Sequence, residues 1–196
     1  MRINSLTSPL FQKKLVATCS VLKNNRPEQC CIYQLDKEKD KNYFKKLSRK
    51  NGWKKAHYLA GANKQIKNEK DTVFYVMEDV KEKCLGYCIM SNSNGKYGHD
   101  LLYLEVKPAC TNKNGERKIK YVGETLITFL TDVLKRDNKN SLSVSSMANR
   151  ARNFYLQKCG FRQNKEYRSA IIELDGFKEL EQKNIMHTGS KIDFME

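Results

Sequence analysis

Leu101-Leu102-Tyr103-Leu104-Glu105-Val106 reads as an apolar strand that Lys107-Pro108 terminates, since proline has no N–H to give to a sheet. A polar, basic loop follows, Thr111-Asn112-Lys113-Asn114-Gly115-Glu116-Arg117-Lys118, and runs into Ile119 to Ile127. There an amphipathic helix begins: Val122, Leu126, Phe129, Leu130 and Val133 recur at helical spacing and predict one buried stripe. Lys135-Arg136 close it at the end of the helix dipole that favours cations. Ser141 to Met147 is a second strand, with apolar and polar residues alternating from Ser141 to Ser145. A short helix, Ala151-Arg152-Asn153-Phe154-Tyr155-Leu156-Gln157-Lys158-Cys159-Gly160-Phe161, completes the segment; Asn149 can cap it and Gly160 can end it in the left-handed conformation.

That order sets a helix N-terminus beside a strand end. The first turn of a helix leaves backbone N–H groups without partners, backed by a partial positive charge. With Arg117, Lys118 and Lys120 beside it, this turn is a natural seat for a pyrophosphate. Gly123 permits close approach of backbone to ligand and of helix to strand.

Outward from this segment the signals are plainer. Residues up to Pro27 form a leader in which Phe11 to Leu22 reads as a short helix and Asn24-Asn25-Arg26-Pro27 as a breaker. Cys30 to Leu35 is a first strand. Helices are expected over Asp36 to Arg49 and Trp53 to Lys67, separated by Asn51-Gly52. Val73-Phe74-Tyr75-Val76-Met77 is the continuous apolar run of a central strand, and Cys84 to Met90 pairs back on it after a charged turn. Tyr167 to Leu174 supplies a last strand, and a polar tail with one helical turn follows from Asp175. We divide the chain into an extension over 1–27, one domain over 28–175 and a tail over 176–196.

The bulk properties narrow the class. A chain of 196 residues holds one domain with a proper core. No apolar run reaches the about 18 residues of a membrane helix, and the first residues lack a signal-peptide core. A cytoplasmic protein is expected. Seven cysteines, with no two pairs at metal-ligand spacing, and three scattered histidines argue for reduced thiols and against a metal site. The net charge of +15 points to an anionic partner or to solvation, and much of it is interleaved with acids, as in Asp36 to Lys41.

Val106-Lys107-Pro108, then Lys118-Ile119-Lys120-Tyr121-Val122-Gly123, then Ala151 to Phe161 together resemble the GNAT superfamily of acetyl-CoA-dependent N-acetyltransferases. The family pattern runs from a strand ending Val-x-Pro through an Arg/Gln-x-x-Gly-x-Gly/Ala loop to an Ala-x-x-Phe-Tyr-x-x-x-Gly-Phe segment. Here Tyr121 stands where the family has glycine, and Lys118 where it has arginine or glutamine. The resemblance covers Cys30 to Leu174. It implies a single-domain α/β fold, with a mixed, mostly antiparallel sheet flanked by helices and a splayed parallel strand pair at the cofactor site.

It also implies a direct transfer of acetyl from acetyl-CoA to a primary amine, with no metal. The thioester carbonyl must be polarised, which the resemblance assigns to the backbone N–H near Val106. The amine, with a free pKa of about 10.4 for lysine, must lose a proton; Glu105 is the candidate base, with Glu78 and Asp79 as alternatives. The leaving thiolate must be reprotonated, and Tyr155 occupies the family's position for that acid. Cofactor contacts fall to Val106, Lys118, Lys120, Tyr121, Val122, Gly123, Glu124 and Thr125, with Asn149, or Asn153, on the pantetheine arm. Lys41, Lys45, Lys46, Arg49, Lys54 and Lys55 form a basic rim that favours an acidic acceptor. Nucleic acid is a less favoured partner, and the protein is expected as a monomer or homodimer. The competing classes are an inactive GNAT-like module that binds RNA or another acidic partner, and a sensor of acyl-CoA.

Overall fold

Ala17, Cys19 and Val21 are buried and the residues between them half-buried, the period of two that a strand imposes. They belong to β1 (Lys14–Lys23), so the helix expected over Phe11 to Leu22 is a strand in its described part. The computed structural model describes residues 13–50, 52–54, 56–68, 71–92, 99–108, 118–144, 149–163 and 169–196. Asn24 and Asn25, both left-handed (φ 50° and 60°), turn β1 into β2 (Arg26–Gln34). That is the two-residue hairpin turn whose twist matches its strands, and asparagine tolerates it. The expected breaker is this turn.

Two short helices follow where longer ones were expected: α1 (Tyr43–Leu47) and α2 (Leu59–Asn68). Aspartate side chains take the backbone bonds that would have extended α1. The Asp36 carboxylate accepts the N–H groups of Glu38 and Lys39 (2.9 and 3.0 Å), and Asp40 accepts that of Asp36 (2.9 Å). Ahead of α2, the buried Trp53 indole N–H donates to the Cys84 carbonyl (3.3 Å).

β3 (Thr72–Asp79), β4 (Cys84–Ser91) and β5 (His99–Val106) form the antiparallel centre of the sheet, as their apolar runs predict. β6 (Ile119–Lys120) leads into α3 (Val122–Arg136), and β7 (Ser141–Val144) returns parallel to β5. α4 (Asn149–Asn153) passes into a π turn over Phe154–Lys158, which Gly160 (φ 76°) ends in the left-handed conformation as expected. β8 (Arg162–Gln163), β9 (Ala170–Glu173), α5 (Leu174–Thr188) and β10 (Asp193–Phe194) complete the chain. Among the described residues the strand order is β10-β1-β2-β3-β4-β5-β7-β9-β8, with β6 also on β1. The fold is therefore the mixed, mostly antiparallel α/β sheet expected, with β5 and β7 as its parallel pair.

Helices cover both faces. Phe44, Trp53, Leu59 and Ile66 pack on Phe74, Val76, Tyr87 and Ile89. On the opposite face, Val122, Leu126, Phe129 and Leu130 of α3 meet Met77, Cys88, Leu101 and Leu142. No helix among the described residues is long and apolar enough to cross a membrane.

The polar tail expected beyond Asp175 is instead the 15-residue α5. Its buried positions are Phe177, Leu180, Asn184 and Thr188, at helical spacing but only half apolar. Asn184 is satisfied by the Thr125 hydroxyl of α3 (2.9 Å), so a polar pair does what a leucine pair does elsewhere. β10 then pairs with β1, and Phe194 stacks on Phe129 (5.4 Å between centroids, 18°) beneath the Arg136 guanidinium. Phe177→Ala is expected to destabilise the protein by about 3–5 kcal/mol in urea unfolding, because the fully buried ring leaves a cavity; a surface tail would tolerate it within about 0.5 kcal/mol.

Candidate active site

Among the described residues β5 and β7 pair at His99–Leu142 and Asp100–Ser143. An extra residue, Leu102, interrupts the register of β5 on β4 between Leu101 and Tyr103. A bulge of this kind bends its strand and raises the twist. The splay that the resemblance implies would fall beyond Val144, where residues 145–148 lie outside the described ones. After the bulge the residues of β5 divide between the two faces: Leu104 and Val106 turn toward the α3 side, Glu105 toward Tyr87 on the α1–α2 side.

A cavity of about 230 Å³ lies between β5 and the starts of α3 and the π turn. Its walls include Leu104 and Val106 of β5, Ile119, the turn Tyr121 to Glu124, and Phe154 and Tyr155 of the π turn. The first i to i−4 bond of α3 is donated by Thr125 to the Tyr121 carbonyl (2.8 Å). The N–H groups of Val122, Gly123 and Glu124 thus precede any intrahelical partner, and no side chain caps the helix start. Three amide donors and the positive end of a 15-residue dipole meet at the cavity wall.

Gly123 lets the helix start pack closely. A Cβ there would sit 3.0 Å from Cζ of Phe154 and 3.5 Å from Cγ2 of Val106. Its absence lets the Phe154 ring close against the first turn. Tyr121 is left-handed (φ 69°, ψ 10°), which is why glycine suits the position and why tyrosine costs about 1–2 kcal/mol there. Its ring lies flat on His187 of α5, 4.4 Å between centroids and 8° from parallel.

On the strand side, the Lys107 N–H donates to the Leu85 carbonyl of β4 (2.8 Å). Successive N–H groups of a strand point in opposite directions, so that of Val106 is directed away from β4. Tyr155 is buried between Phe154 and Phe161. Burial pushes its phenol well above the ordinary range, with Cys159, Tyr58 and Cys88 adding smaller effects in the same direction. It therefore carries its proton at neutral pH.

Several expected site residues have other partners. Glu105 is buried, and its carboxylate accepts the His57 N–H (2.6 Å), the Tyr58 N–H (3.2 Å) and the Tyr87 hydroxyl (2.7 Å). Burial, then the Glu105 carboxylate, drives the Tyr87 phenol upward, which keeps it a donor. Of the alternatives, Glu78 holds Lys13 and the Tyr43 hydroxyl, and Asp79 accepts the N–H groups of Lys81 and Lys83 in its turn. Lys120 reaches back to the Asn25 side chain (2.8 Å), and the exposed Lys118 binds the Asn24 N–H through its carbonyl; neither lines the cavity. The Thr125 hydroxyl turns to Asn184. Arg117, Lys55 and the side chain of Asn149 lie outside the described residues.

Phe154, Leu104, Tyr58 and His187 were missed as site residues. Phe154 stands inside the quoted motif and could have been found there; His187 is placed by α5, whose half-polar face hid it. Among the described residues no group of His, Cys, Asp and Glu is arranged to hold a metal ion.

Comparison with solved structures decides the fold type. A GNAT-family protein from Desulfovibrio desulfuricans superposes with a TM-score of 0.54 at 14% identity, covering 74% of this chain and 99% of that one. The chain has the GNAT fold. AtaTR bound with acetyl-CoA matches at a TM-score of 0.57 and 17% identity, over 77% of this chain and 97% of the other. The spermidine N-acetyltransferase SpeG, as a chimera from Vibrio cholerae and hSSAT, matches at 0.50 and 14%, over 76% and 98%. No protein-family profile and no curated protein matches in sequence. At these identities it is the GNAT fold that is shared.

Glu105→Ala removes the acceptor of two backbone N–H groups and one phenol inside the fold. It is expected to destabilise the protein by about 3 kcal/mol in urea unfolding. A loss below about 0.5 kcal/mol would mean that Glu105 does not hold this loop.

Proposed function

We propose that this protein is an acetyl-CoA-dependent N-acetyltransferase acting on a primary amine. One observation carries the reading: the three uncapped amides of Val122, Gly123 and Glu124 share one cavity with Val106 and Tyr155, between β5 and the first turn of α3. The GNAT fold and a structural neighbour bound with acetyl-CoA support it.

The residues fit that co-substrate. The amides of 122–124 are donors for a pyrophosphate, and Leu104, Ile119 and Phe154 make an apolar wall for a pantetheine arm. When bound, acetyl-CoA supplies a thioester-activated acetyl group. The outward N–H of Val106 is a donor for the developing oxyanion. Tyr155, kept neutral by burial, donates a hydrogen bond to the departing sulfur and can pass on its proton. Leaving a tyrosinate in that apolar cage is costly, so proton donation is concerted with uptake from water.

Glu105 enters as a positioning residue. Its acceptor capacity is largely used by residues 57 and 58 and by Tyr87, so the amine sheds its proton to water. Exposed Lys45, Lys46, Arg49 and Lys54 on and after α1 favour an acidic or phosphorylated acceptor. The engaged Glu105 also favours a second reading, a module that binds acyl-CoA without turnover.

Thermal unfolding separates these readings from none. Acetyl-CoA at about a hundred times its Kd is expected to add about 2.7 kcal/mol and raise Tm by about 5–10 °C; no shift overturns both. With an accepted amine, Tyr155→Phe is expected to lower kcat about a hundredfold and leave the acetyl-CoA Kd within about twofold. Unchanged turnover removes Tyr155 from the chemistry, and binding with no thiol release from any amine establishes the module.

A further inference from the structure

We infer that α5 is a brace for the anion-binding turn of α3, and that His187 is its working residue: stacking on Tyr121, it holds the turn in the shape that binds the diphosphate of acetyl-CoA. This inference rests on the proposed function and adds to it a positioning residue outside the segment that resembles the acetyltransferases.

The contacts between the two helices run in opposite chain directions. Lys135 of α3 pairs with Glu181 (3.0 Å), Thr125 donates to Asn184 (2.9 Å), and Tyr121 stacks on His187 (4.4 Å, 8°). The two helices are thus antiparallel, and the last turn of α5 lies on the first turn of α3. Two of the three ties fall on the five residues that open α3, Tyr121 to Thr125, and four of those five line the cavity.

The need for a brace follows from the backbone. Tyr121 holds a left-handed conformation that tyrosine does not favour. No side-chain cap bond fixes it. A relaxed Tyr121 would change the direction of the amides at 122–124, since it sets how the chain enters the helix. The flat ring contact with His187 acts on this residue and not on its neighbours. His187 itself is exposed and outside both cores, so its removal spares the packing that Phe177 and Leu180 supply.

A double-mutant cycle read by acetyl-CoA binding tests this. His187→Ala lets Tyr121 leave the competent shape, and an occupancy falling to about one tenth raises the apparent Kd about tenfold. His187→Phe keeps a ring for the stack and is expected to stay within about twofold of wild type. In a Tyr121→Gly background, where the left-handed conformation is native to the residue, His187→Ala is expected to change Kd by less than about twofold. Amide exchange at Thr125, whose N–H closes the first turn on the Tyr121 carbonyl, is expected to quicken in ligand-free His187→Ala alone. Equal Kd and equal exchange in wild type and His187→Ala overturn the brace. An equal loss in His187→Phe, or a tenfold loss persisting in the glycine background, overturns action through the Tyr121 stack. If wild type binds no acetyl-CoA the proposed function fails, while the exchange comparison still decides whether His187 holds the turn.

Discussion

Among the described residues, two of β5 pair with two of β7 and no further pair follows. The remainder of the site is arranged where that pairing stops. A strand that leaves its neighbour exposes backbone groups inside a sheet, where they would ordinarily be satisfied by the ladder. The bulge at Leu102 turns β5 aside, and α3, the π turn and the walls of the cavity gather beside it. Val106 presents an outward N–H because the alternate one, that of Lys107, is bonded to β4. Tyr155 lines the same cavity as Leu104 and Val106.

The molecule surrounds this opening with unusually committed polar side chains. Glu105 ties the start of α2 to the strand that carries Val106. Lys120, on the short strand ahead of α3, is tied by its side chain to Asn25, and the Lys118 carbonyl before it to the Asn24 N–H. Thr125 is tied to α5. In the proposed function, anion recognition falls to backbone amides, which are fixed in place by secondary structure and lose no side-chain entropy on binding. This arrangement explains how a chain with a lysine and a tyrosine in a loop that otherwise uses arginine and glycine can still present the same donors.

Much of this was legible in the residues. The strand ending at Lys107-Pro108, the stripe on α3, the Gly160 stop and the Phe154-Tyr155 pair all carry local signals, since proline, glycine and helical spacing act within a few residues. The longer misreadings share one cause. Over Phe11 to Leu22, apolar residues fall at 11, 15, 16, 17, 19, 21 and 22, which satisfies a helical face and an alternating strand alike; only Ala17, Cys19 and Val21 facing α3 and α5 across the sheet selects the strand. In α5 the buried face includes asparagine and threonine, which look like surface until Thr125 is seen to satisfy Asn184.

By itself the sequence determined the order β3, β4, β5, α3, β7, the short helix and β9, and the identity of the residues at the helix start and in the Phe154-Tyr155 pair. Those follow from periodicity and from backbone preferences, both local properties of the chain. Tertiary structure alone decided the two-residue parallel pairing of β5 with β7 among the described residues, that Glu105 is held by three donors, and that His187, 66 residues beyond Tyr121, stacks on its ring. Each is a contact between segments far apart in the chain. Which partner such a residue finds is settled by packing the whole sheet, and leaves no periodic trace in either segment.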